Sequence, residues 1–204
     1  MPSKQKIKTQ SLEKLQIDPN CLKHKIGVSG AAETGHCAID APEKAELLGK
    51  EIARAGMVTV TGATTGVPYW AAKGAKEEGG IVIGFSPAVS REEHITTYNL
   101  PSDYQDLIIY TGFGFGGRNL FFTRSVDGLI IVCGRIGTLN EFSAAFEDNR
   151  PIGVLTETGG IADMIDEIVK TANRGPGKIV FDNDPKRLLE KLHALIEEGH
   201  KNKH

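Results

Sequence analysis

The stretch from Asp127 to Phe142, DGLIIVCGRIGTLNEF, joins a short apolar run to a glycine-containing turn and then to a helix-like pattern. The apolar run, Leu129 to Val132, is continuous rather than alternating, which is typical of a strand buried on both faces. The turn after it contains Gly134 and Gly137, and glycine lets a backbone turn sharply or lets a ligand come close. The stretch therefore predicts a buried parallel strand that leads into a helix.

The same combination recurs along the chain. Apolar runs at 26–28, 57–60, 81–83, 107–110, 129–132, 151–155 and 178–181 alternate with helix-like segments at 42–55, 67–78, 119–125, 139–147, 161–171 and 185–198. We therefore predict an α/β fold: a single Rossmann-like domain with a mostly parallel sheet and helices on both faces. This domain is predicted to span residues 26–198, between a basic N-terminal extension at 1–25 and a C-terminal tail at 199–204.

Composition excludes several classes of protein. The chain has 204 residues and a net charge of −2, so no global basic field indicates nucleic-acid binding. No apolar stretch approaches the roughly 20 residues that would span a membrane, and the first residues lack the apolar core of a signal peptide. The three cysteines, Cys21, Cys37 and Cys133, are an odd number without C-x-x-C spacing. They indicate a reducing compartment rather than a disulfide framework or a zinc ribbon, so we expect a soluble cytoplasmic protein.

Small residues follow several of the predicted strands at one edge of the sheet. They are Ser29-Gly30, the segment 61–66, the segment 112–117, and Gly134 with Gly137-Thr138. In an open parallel sheet, ligands bind beyond the carboxyl ends of the strands. Helix N-termini there present free N–H groups and a positive dipole end, which favour phosphate. The sequence therefore predicts a phosphate-bearing ligand at this edge.

Two of these patterns also have ordinary structural interpretations. Gly112-x-Gly114-x-x-Gly117 matches a dinucleotide-binding pattern, but it lies late in the chain and lacks an acidic strand end about 20 residues further on. Thr138-x-x-Glu141 also fits a capping box, in which both side chains satisfy backbone donors of their own helix. The sequence by itself does not decide whether these segments are plain connectors, helix caps or parts of a binding site. His36 and Cys37 are adjacent, which is not metal-ligand spacing, so we predict no metal site.

The arrangement of Gly117-Arg118-Asn119, Asp127 and Gly134-x-x-Gly137-Thr138-x-x-Glu141 resembles the Lonely Guy (LOG) family, once labelled "possible lysine decarboxylase". Upstream, TGATTGVPYWAAKGAKEEGGIVIGFSP at residues 61–87 resembles the first glycine loop, helix and third strand of that family. The resemblance covers roughly residues 25–172. The Gly-Arg-Asn triplet is most similar to the subgroup that includes molybdenum cofactor carrier proteins.

This resemblance implies a Rossmann-like homodimer or larger homo-oligomer that cleaves the N-glycosidic bond of a nucleoside 5′-monophosphate. By that analogy Arg118 orients the substrate and Glu141 is the catalytic carboxylate. A carboxylate can stabilise an oxocarbenium-like transition state or direct a water molecule to it. The ligand-binding residues that we predict are Gly30, Gly62, Thr65, Gly66, Gly117, Asn119, Gly134, Arg135, Gly137 and Thr138.

The chain departs from the family pattern at its most specific motif. The Pro-Gly-Gly of the family is Cys133-Gly134-Arg135 here, and Ala63 and Thr64 replace glycines of the first loop. Arg135 could add a charge-assisted contact to phosphate, or it could fill the pocket. Two hypotheses follow: a nucleoside monophosphate glycosidase, and a non-catalytic carrier or sensor of a nucleotide or molybdenum-pterin ligand. Neither needs a resident cofactor, a nucleic acid or a membrane.

Overall fold

The computed structural model describes residues 23–201 and contains seven strands, seven α-helices and one short 3-10 helix (Ala162–Met164) over that range. The strands are β1 (Lys25–Gly30), β2 (Val58–Thr61), β3 (Ile81–Ser86), β4 (Leu107–Tyr110), β5 (Gly128–Val132), β6 (Ile152–Leu155) and β7 (Ile179–Asp182). The helices are α1 (Ala41–Arg54), α2 (Val67–Glu77), α3 (Arg91–Thr96), α4 (Gly114–Arg124), α5 (Ile136–Glu147), α6 (Ile165–Ala172) and α7 (Pro185–Lys201). The predicted basic extension at 1–25 lies almost entirely outside the described residues.

The strands form one sheet in the order β4-β3-β2-β1-β5-β6-β7, and every pairing is parallel. This confirms the predicted α/β fold class. The four central residues of β1 are buried, and every residue of β5 is buried, as the continuous apolar runs predicted. No helix among residues 23–201 is both long enough and apolar enough to cross a membrane.

Each central strand supplies both layers of the core, because successive side chains point to opposite faces of a sheet. Ile130 of β5 packs with the layer that α1, α2 and α7 cover, through residues such as Leu48 and Leu188. Leu129 packs with the opposite layer, which α4, α5 and α6 cover, through residues such as Phe122. The sheet is therefore covered on both faces, which leaves the strand ends as the open edges of the molecule.

The predicted boundaries differ from the structure in several places. α4 begins at Gly114 rather than at residue 119, and α5 begins at Ile136 rather than at residue 139. Both early turns contain glycines, which carry no apolar periodicity and so hide a helix start. The span 86–106, to which the sequence pattern assigns no element, contains the short helix α3. α7 reaches Lys201, three residues beyond the predicted end of the domain.

A disulfide bond joins Cys37 to Cys133, whose Cα atoms lie 5.7 Å apart. The prediction that the cysteines make no disulfide is therefore wrong. The two residues are 96 positions apart in the sequence. They meet because Cys37 follows β1, Cys133 follows β5, and these two strands are neighbours in the sheet. The spacing of the cysteines in the sequence can indicate only pairs that are close in sequence, so it could not reveal this proximity.

Helices α1 and α2 cross closely because glycines lie at their contact. A Cβ atom on Gly49 of α1 would collide with the backbone of Ala71 and Ala75 in α2. A Cβ atom on Gly74 of α2 would likewise collide with the backbone of Glu46 in α1. Backbone cannot move aside as a flexible side chain does, so the crossing depends on the absence of these two side chains.

We expect Gly49→Ala to lower the free energy of unfolding by ~1–3 kcal/mol, the usual cost of overpacking a close contact. Glycine-to-alanine changes inside helices normally raise the free energy of unfolding by up to ~1 kcal/mol, so the change expected here has the opposite sign. The matched control is Gly116→Ala in α4, where an added Cβ meets no atom within 4 Å. Urea unfolding of both variants measures the difference. Equal or higher stability of Gly49→Ala would contradict the close crossing.

Candidate functional site

The candidate site lies at the point in the sheet where the order of the strands reverses. β1 connects through α1 to β2 on one side, whereas β5 connects through α5 to β6 on the other side. The two connections diverge and leave a crevice beyond the carboxyl ends of β1 and β5. Ligands of open α/β sheets bind in such a crevice.

A pocket of about 250 Å³ occupies this crevice. Seven of the twelve predicted site residues line it: Gly30, Arg118, Asn119, Arg135, Gly137, Thr138 and Glu141. They come from β1, α4 and the β5–α5 connection, which are distant in sequence. The structure therefore brings the two halves of the predicted motif to one place.

Three of the other predicted residues, from the β2–α2 connection, support the pocket from behind. Gly62 lies against Arg118, because a Cβ atom there would overlap the guanidinium group. Gly66 has a φ of 70°, and a Cβ atom there would collide with the carbonyl oxygen of Ala32. Thr65 Oγ1 donates a hydrogen bond to the same carbonyl at 2.9 Å. These residues hold the pocket wall and do not line the pocket themselves.

The last two predicted residues, Gly117 and Gly134, also act through their neighbours. Gly134 has a φ of 98°, a backbone conformation that favours glycine, and a Cβ atom there would collide with Thr138. Gly117 lies in the first half of α4, where a Cβ atom would press on Phe113. The structure places neither residue on the pocket surface.

The first turn of α5 faces the pocket with glycine at its second position. The helix begins at Ile136, and Leu139 N–H is the first to bond back, to the carbonyl of Arg135 at 2.9 Å. The N–H groups of a first helical turn have no partner within the helix, and the dipole there is positive. A Cβ atom on Gly137 would meet no atom within 4 Å, so the approach to these donors is open. This turn can bind an anionic oxygen.

The capping-box interpretation of Thr138 and Glu141 is wrong. Arg135, not Thr138, is the N-cap residue of α5, and no side chain caps the helix. Thr138 is therefore the third helical residue, and Glu141 lies a turn further along. Both side chains are buried at the pocket instead of bonding back to the start of their own helix.

Glu141 is a buried carboxyl with identified hydrogen-bond donors. Ser29 Oγ at the end of β1 donates to its Oε2. With the amide of Asn119 oriented to satisfy its neighbours, Nδ2 donates to Glu141 Oε1 and to the carbonyl of Phe115, both at 2.9 Å. Burial raises the pKa of Glu141, and the charge of Arg118 and the bond from Ser29 offset that rise only in part. The carboxyl therefore holds a proton more readily than an exposed glutamate.

Arg118 provides the buried positive charge of the pocket. Its side chain is 6% exposed, and its Nη1 donates to the carbonyl of Phe85 at 3.5 Å. The guanidinium carbon lies 5.8 Å from the centroid of the Phe115 ring, within the range of a cation–π contact. Burial lowers the pKa of Arg118, and the negative charge of Glu141 opposes that effect. An arginine stays charged under such shifts, so an anionic ligand would gain a partially desolvated partner.

Arg135 extends across the rim of the pocket to the loop after β1. Its Nη2 pairs with Glu33 Oε2 at 2.6 Å, and its Nε donates to His36 Nδ1 at 3.3 Å. The guanidinium hydrogen bond also lowers the pKa of Glu33. The side chain therefore neither fills the pocket nor lies free at the phosphate-binding turn, and it ties the two loops together at their exposed surface.

Sequence reasoning missed several residues that build the site. Glu33, Thr64 and Phe115 line the pocket, and Ser29 holds Glu141. Ser29 and Phe115 stood in segments already singled out, as a strand end and a glycine-rich turn. Glu33 carried no signal, because its role depends on Arg135, which is 102 residues away.

A larger cavity of about 550 Å³ lies at the opposite edge of the sheet, near the amino ends of β5 and β6. Four of its five charged side chains already have partners. Arg124 pairs with Asp148 at 2.8 Å, and Arg150 donates to the carbonyl of Val126 at 2.6 Å. Asp127 accepts from Lys25 at 2.8 Å. The switch-point pocket is the better candidate despite its smaller volume, because it lies where ligands of open α/β sheets bind and combines a helix N-terminus with a buried arginine.

Comparisons with known proteins identify related sequences and structures. A family model described as the SLOG cluster4 family matches residues 23–189. A protein of Archaeoglobus fulgidus described as uncharacterised is 34% identical over 131 residues, which cover 64% of this chain and 79% of that protein.

Two solved structures are similar to most of this chain. One is the molybdenum cofactor binding protein from the phototrophic bacterium Rippkaea orientalis, with 28% identity and a TM-score of 0.71. The other is the molybdenum cofactor carrier protein from Chlamydomonas reinhardtii, with 28% identity and a TM-score of 0.68. Each similarity covers 86% of this chain and 99% of the other.

We expect Gly137→Asp to weaken binding of inorganic phosphate and of AMP by more than ten-fold, because a carboxylate would occupy the first turn of α5 and repel the anion. The open space around Gly137 predicts that the fold survives. Gly116→Asp is the matched control, since it adds the same charge to the first turn of α4 in open space. Isothermal titration calorimetry measures the affinities. Equal losses in both variants would argue against a specific site at α5.

We also expect a pH effect from Glu141. Because the pKa of Glu141 is raised in the folded protein, the folded state binds this proton more tightly than the unfolded state does. The bound proton therefore stabilises the fold at low pH, and this stabilisation is lost as pH rises above about 4.5 and passes the raised pKa. Glu141→Gln carries no titrating group, so its melting temperature should rise relative to the wild type as pH increases from about 4.5 to 8. Thermal melts across that range measure this difference. A difference that stays constant with pH would contradict the raised pKa.

Proposed function

The chain belongs to the SLOG cluster4 family, and we propose that it is a carrier that binds a phosphorylated pterin ligand of the molybdenum cofactor type without transforming it. The observation that carries this proposal is the similarity, over nearly the whole domain, to one protein described as binding the molybdenum cofactor and another described as carrying it. The pocket at the switch point supplies the chemistry that such a ligand needs.

The first turn of α5 is the proposed phosphate anchor. Gly137 leaves the helix N-terminus open, and Thr138 lines the same wall of the pocket. Backbone N–H groups and the helix dipole favour a doubly charged phosphate over a neutral group. Arg118 adds the second positive element from the facing helix α4.

Phe115 is the proposed contact for the ring system of the ligand. It lines the pocket beside Arg118, and half of its side chain is exposed. An aromatic face next to a guanidinium gives a flat heterocycle an apolar surface and a cationic edge. A pterin and a purine both fit this description, which is why a nucleotide remains the alternative ligand.

The Arg135–Glu33 ion pair supports retention of a ligand rather than rapid turnover. It crosses the rim of the pocket between the loops that follow β1 and β5. In the LOG resemblance this position is a glycine of the phosphate loop. A side chain tied across the rim narrows the exit, which suits a protein that holds its ligand.

The second candidate is hydrolysis of a nucleoside 5′-monophosphate at its N-glycosidic bond. Glu141 favours it, because a buried carboxyl with a raised pKa can donate a proton to a leaving base. Arg118 and Glu141 stand together in the pocket, as the glycosidase hypothesis requires. A perturbed pKa also occurs in purely structural networks, so this observation alone ranks below the carrier proposal.

One experiment separates the two functions. The purified chain is incubated with AMP and, separately, with molybdenum cofactor released from a donor enzyme. Gel filtration then measures the ligand that stays bound, and chromatography measures free base. We expect the cofactor to be retained intact, Gly137→Asp to abolish retention, and no base to be released.

Release of free base from AMP by the wild type, but not by Glu141→Gln, would support the hydrolase and overturn the carrier proposal. Failure to retain either ligand, with no release of base from AMP, would count against both functions. Gly116→Asp serves again as the control for the added charge.

Two further predictions stay predictions. The first is a homodimer or larger homo-oligomer, for which the exposed stacked pair Phe113 and Phe121 on and beside α4 offers an apolar contact surface. The second is a cytoplasmic location.

A further inference from the structure

Two of the three cysteines of this chain meet beside the candidate pocket. Cys37 lies in the loop after β1, and Cys133 is the first residue after β5. They are bonded to each other, Cys133 is fully buried, and Cys37 is partly exposed. The Cys37 side of the bond is therefore closer to solvent than the Cys133 side, which the protein shields.

Thr158 holds the backbones of both cysteines in place. Its Oγ1 accepts from Cys133 N–H at 2.9 Å, and its carbonyl accepts from Ala38 N–H at 2.9 Å, next to Cys37. Thr158 is itself fully buried, and its hydroxyl donates to the carbonyl of Leu155 at 2.7 Å. These hydrogen bonds do not involve sulfur, so they keep the two cysteines adjacent when the disulfide is reduced.

His36 presents an N–H group to the buried sulfur. Arg135 Nε donates to His36 Nδ1 at 3.3 Å, so in the neutral ring Nδ1 is the acceptor and Nε2 carries the hydrogen. Nε2 lies 3.6 Å from Cys133 Sγ and 3.4 Å from the carbonyl of Gly134. A donor in this position stabilises a thiolate on Cys133.

The backbone at Cys133 has an unusual conformation, and the nearby N-terminus of α5 is a second feature that favours a thiolate on this residue. The residue has a φ of 52°, a left-handed conformation that is uncommon for a side chain other than glycine, asparagine or aspartate. Such conformations cluster at functional sites. Cys133 also lies three residues before the first residue of α5, whose positive N-terminal dipole favours a nearby thiolate.

We propose that Cys37 and Cys133 form a thiol–disulfide exchange site for low-molecular-weight thiols and disulfides. In reduction, the thiolate of a small thiol attacks Cys37 Sγ, the Cys37–Cys133 bond breaks, and Cys133 leaves as a thiolate that His36 stabilises. A second molecule of the thiol attacks the mixed disulfide and releases Cys37 as a thiolate. The products are two protein thiols and one small disulfide, and oxidation by that disulfide is the reverse sequence.

The site has a direct consequence for the pocket. The loops that carry Cys37 and Cys133 are the same two loops that Arg135 and Glu33 join at the rim. The covalent bond and the ion pair thus tie the same pair of loops. Reduction removes the covalent connection and leaves the ion pair together with the hydrogen bonds between the loops, and an ion pair that is largely exposed contributes little to holding them together.

The first test counts thiols in the full chain with Cys21→Ser, which removes the only cysteine outside the described residues. We expect a thiol reagent to find no free thiol in the protein purified without reductant and two after reduction. Incubation of the reduced protein with oxidised glutathione should restore the disulfide without a lasting adduct. Two thiols that stay free throughout would overturn the proposal. This test leaves both Cys37 and Cys133 unsubstituted.

The second test assigns the roles of the two cysteines by mass spectrometry. In the Cys21→Ser background, Cys133→Ser should accumulate one glutathione on Cys37, because the resolving thiol is absent. Cys37→Ser should take up none under the same conditions, because Cys133 is buried. Circular dichroism checks that both variants are folded. Glutathione on Cys133 and none on Cys37 would contradict the proposed order of attack.

The third test concerns His36 as a positioning residue. We expect His36→Ala to slow reduction of the disulfide by glutathione about ten-fold, the effect of losing one hydrogen bond to a charged group. His193→Ala on the distant helix α7 is the matched control. Equal rates in the wild type and His36→Ala would remove His36 from the mechanism.

Discussion

The parallel pairing of β1 with β5 is the constraint on which the candidate site depends. Gly30 at the end of β1 pairs with Val132 at the end of β5. A Cβ atom on Gly30 would collide with the carbonyl oxygen of Val132 and with Val67 of α2. The absence of a side chain therefore lets two strands and a helix meet closely at the edge where the strand order reverses. The anion-binding turn, the buried carboxyl and the cysteine pair are all placed by the loops that leave this junction.

The sequence predicts the fold well, because its signal is local. Continuous apolar runs of four or five residues identify strands buried on both faces, and the amphipathic segments between them require crossovers in a parallel sheet. The motif from Arg118 to Glu141 also predicts the pocket, because Arg118 precedes β5 and Glu141 follows it at a fixed spacing in the sequence. Helix starts at Gly114 and Ile136 were missed, because glycine-containing first turns carry no periodic pattern.

The sequence does not predict contacts that depend on tertiary structure. Ser29 meets Glu141 from 112 residues away, and Cys37 meets Cys133 from 96 residues away. An odd number of cysteines without regular spacing favours free thiols, and that inference fails when two strand ends happen to be neighbours. The direction of Arg135 is equally non-local, because it is decided by Glu33 across the crevice. These residues are predictable only once the strand order is known.

The charges of the pocket indicate why it suits an anion. Burial raises the pKa of Glu141 and lowers the pKa of Arg118, so each group is disfavoured in its charged form. A phosphate at the first turn of α5 would bring negative charge near Arg118 and offset the desolvation of that guanidinium. The same negative charge would raise the pKa of Glu141 further. Binding of such an anion and binding of a proton at Glu141 would therefore favour each other, and neither requires that a bond in the ligand be broken.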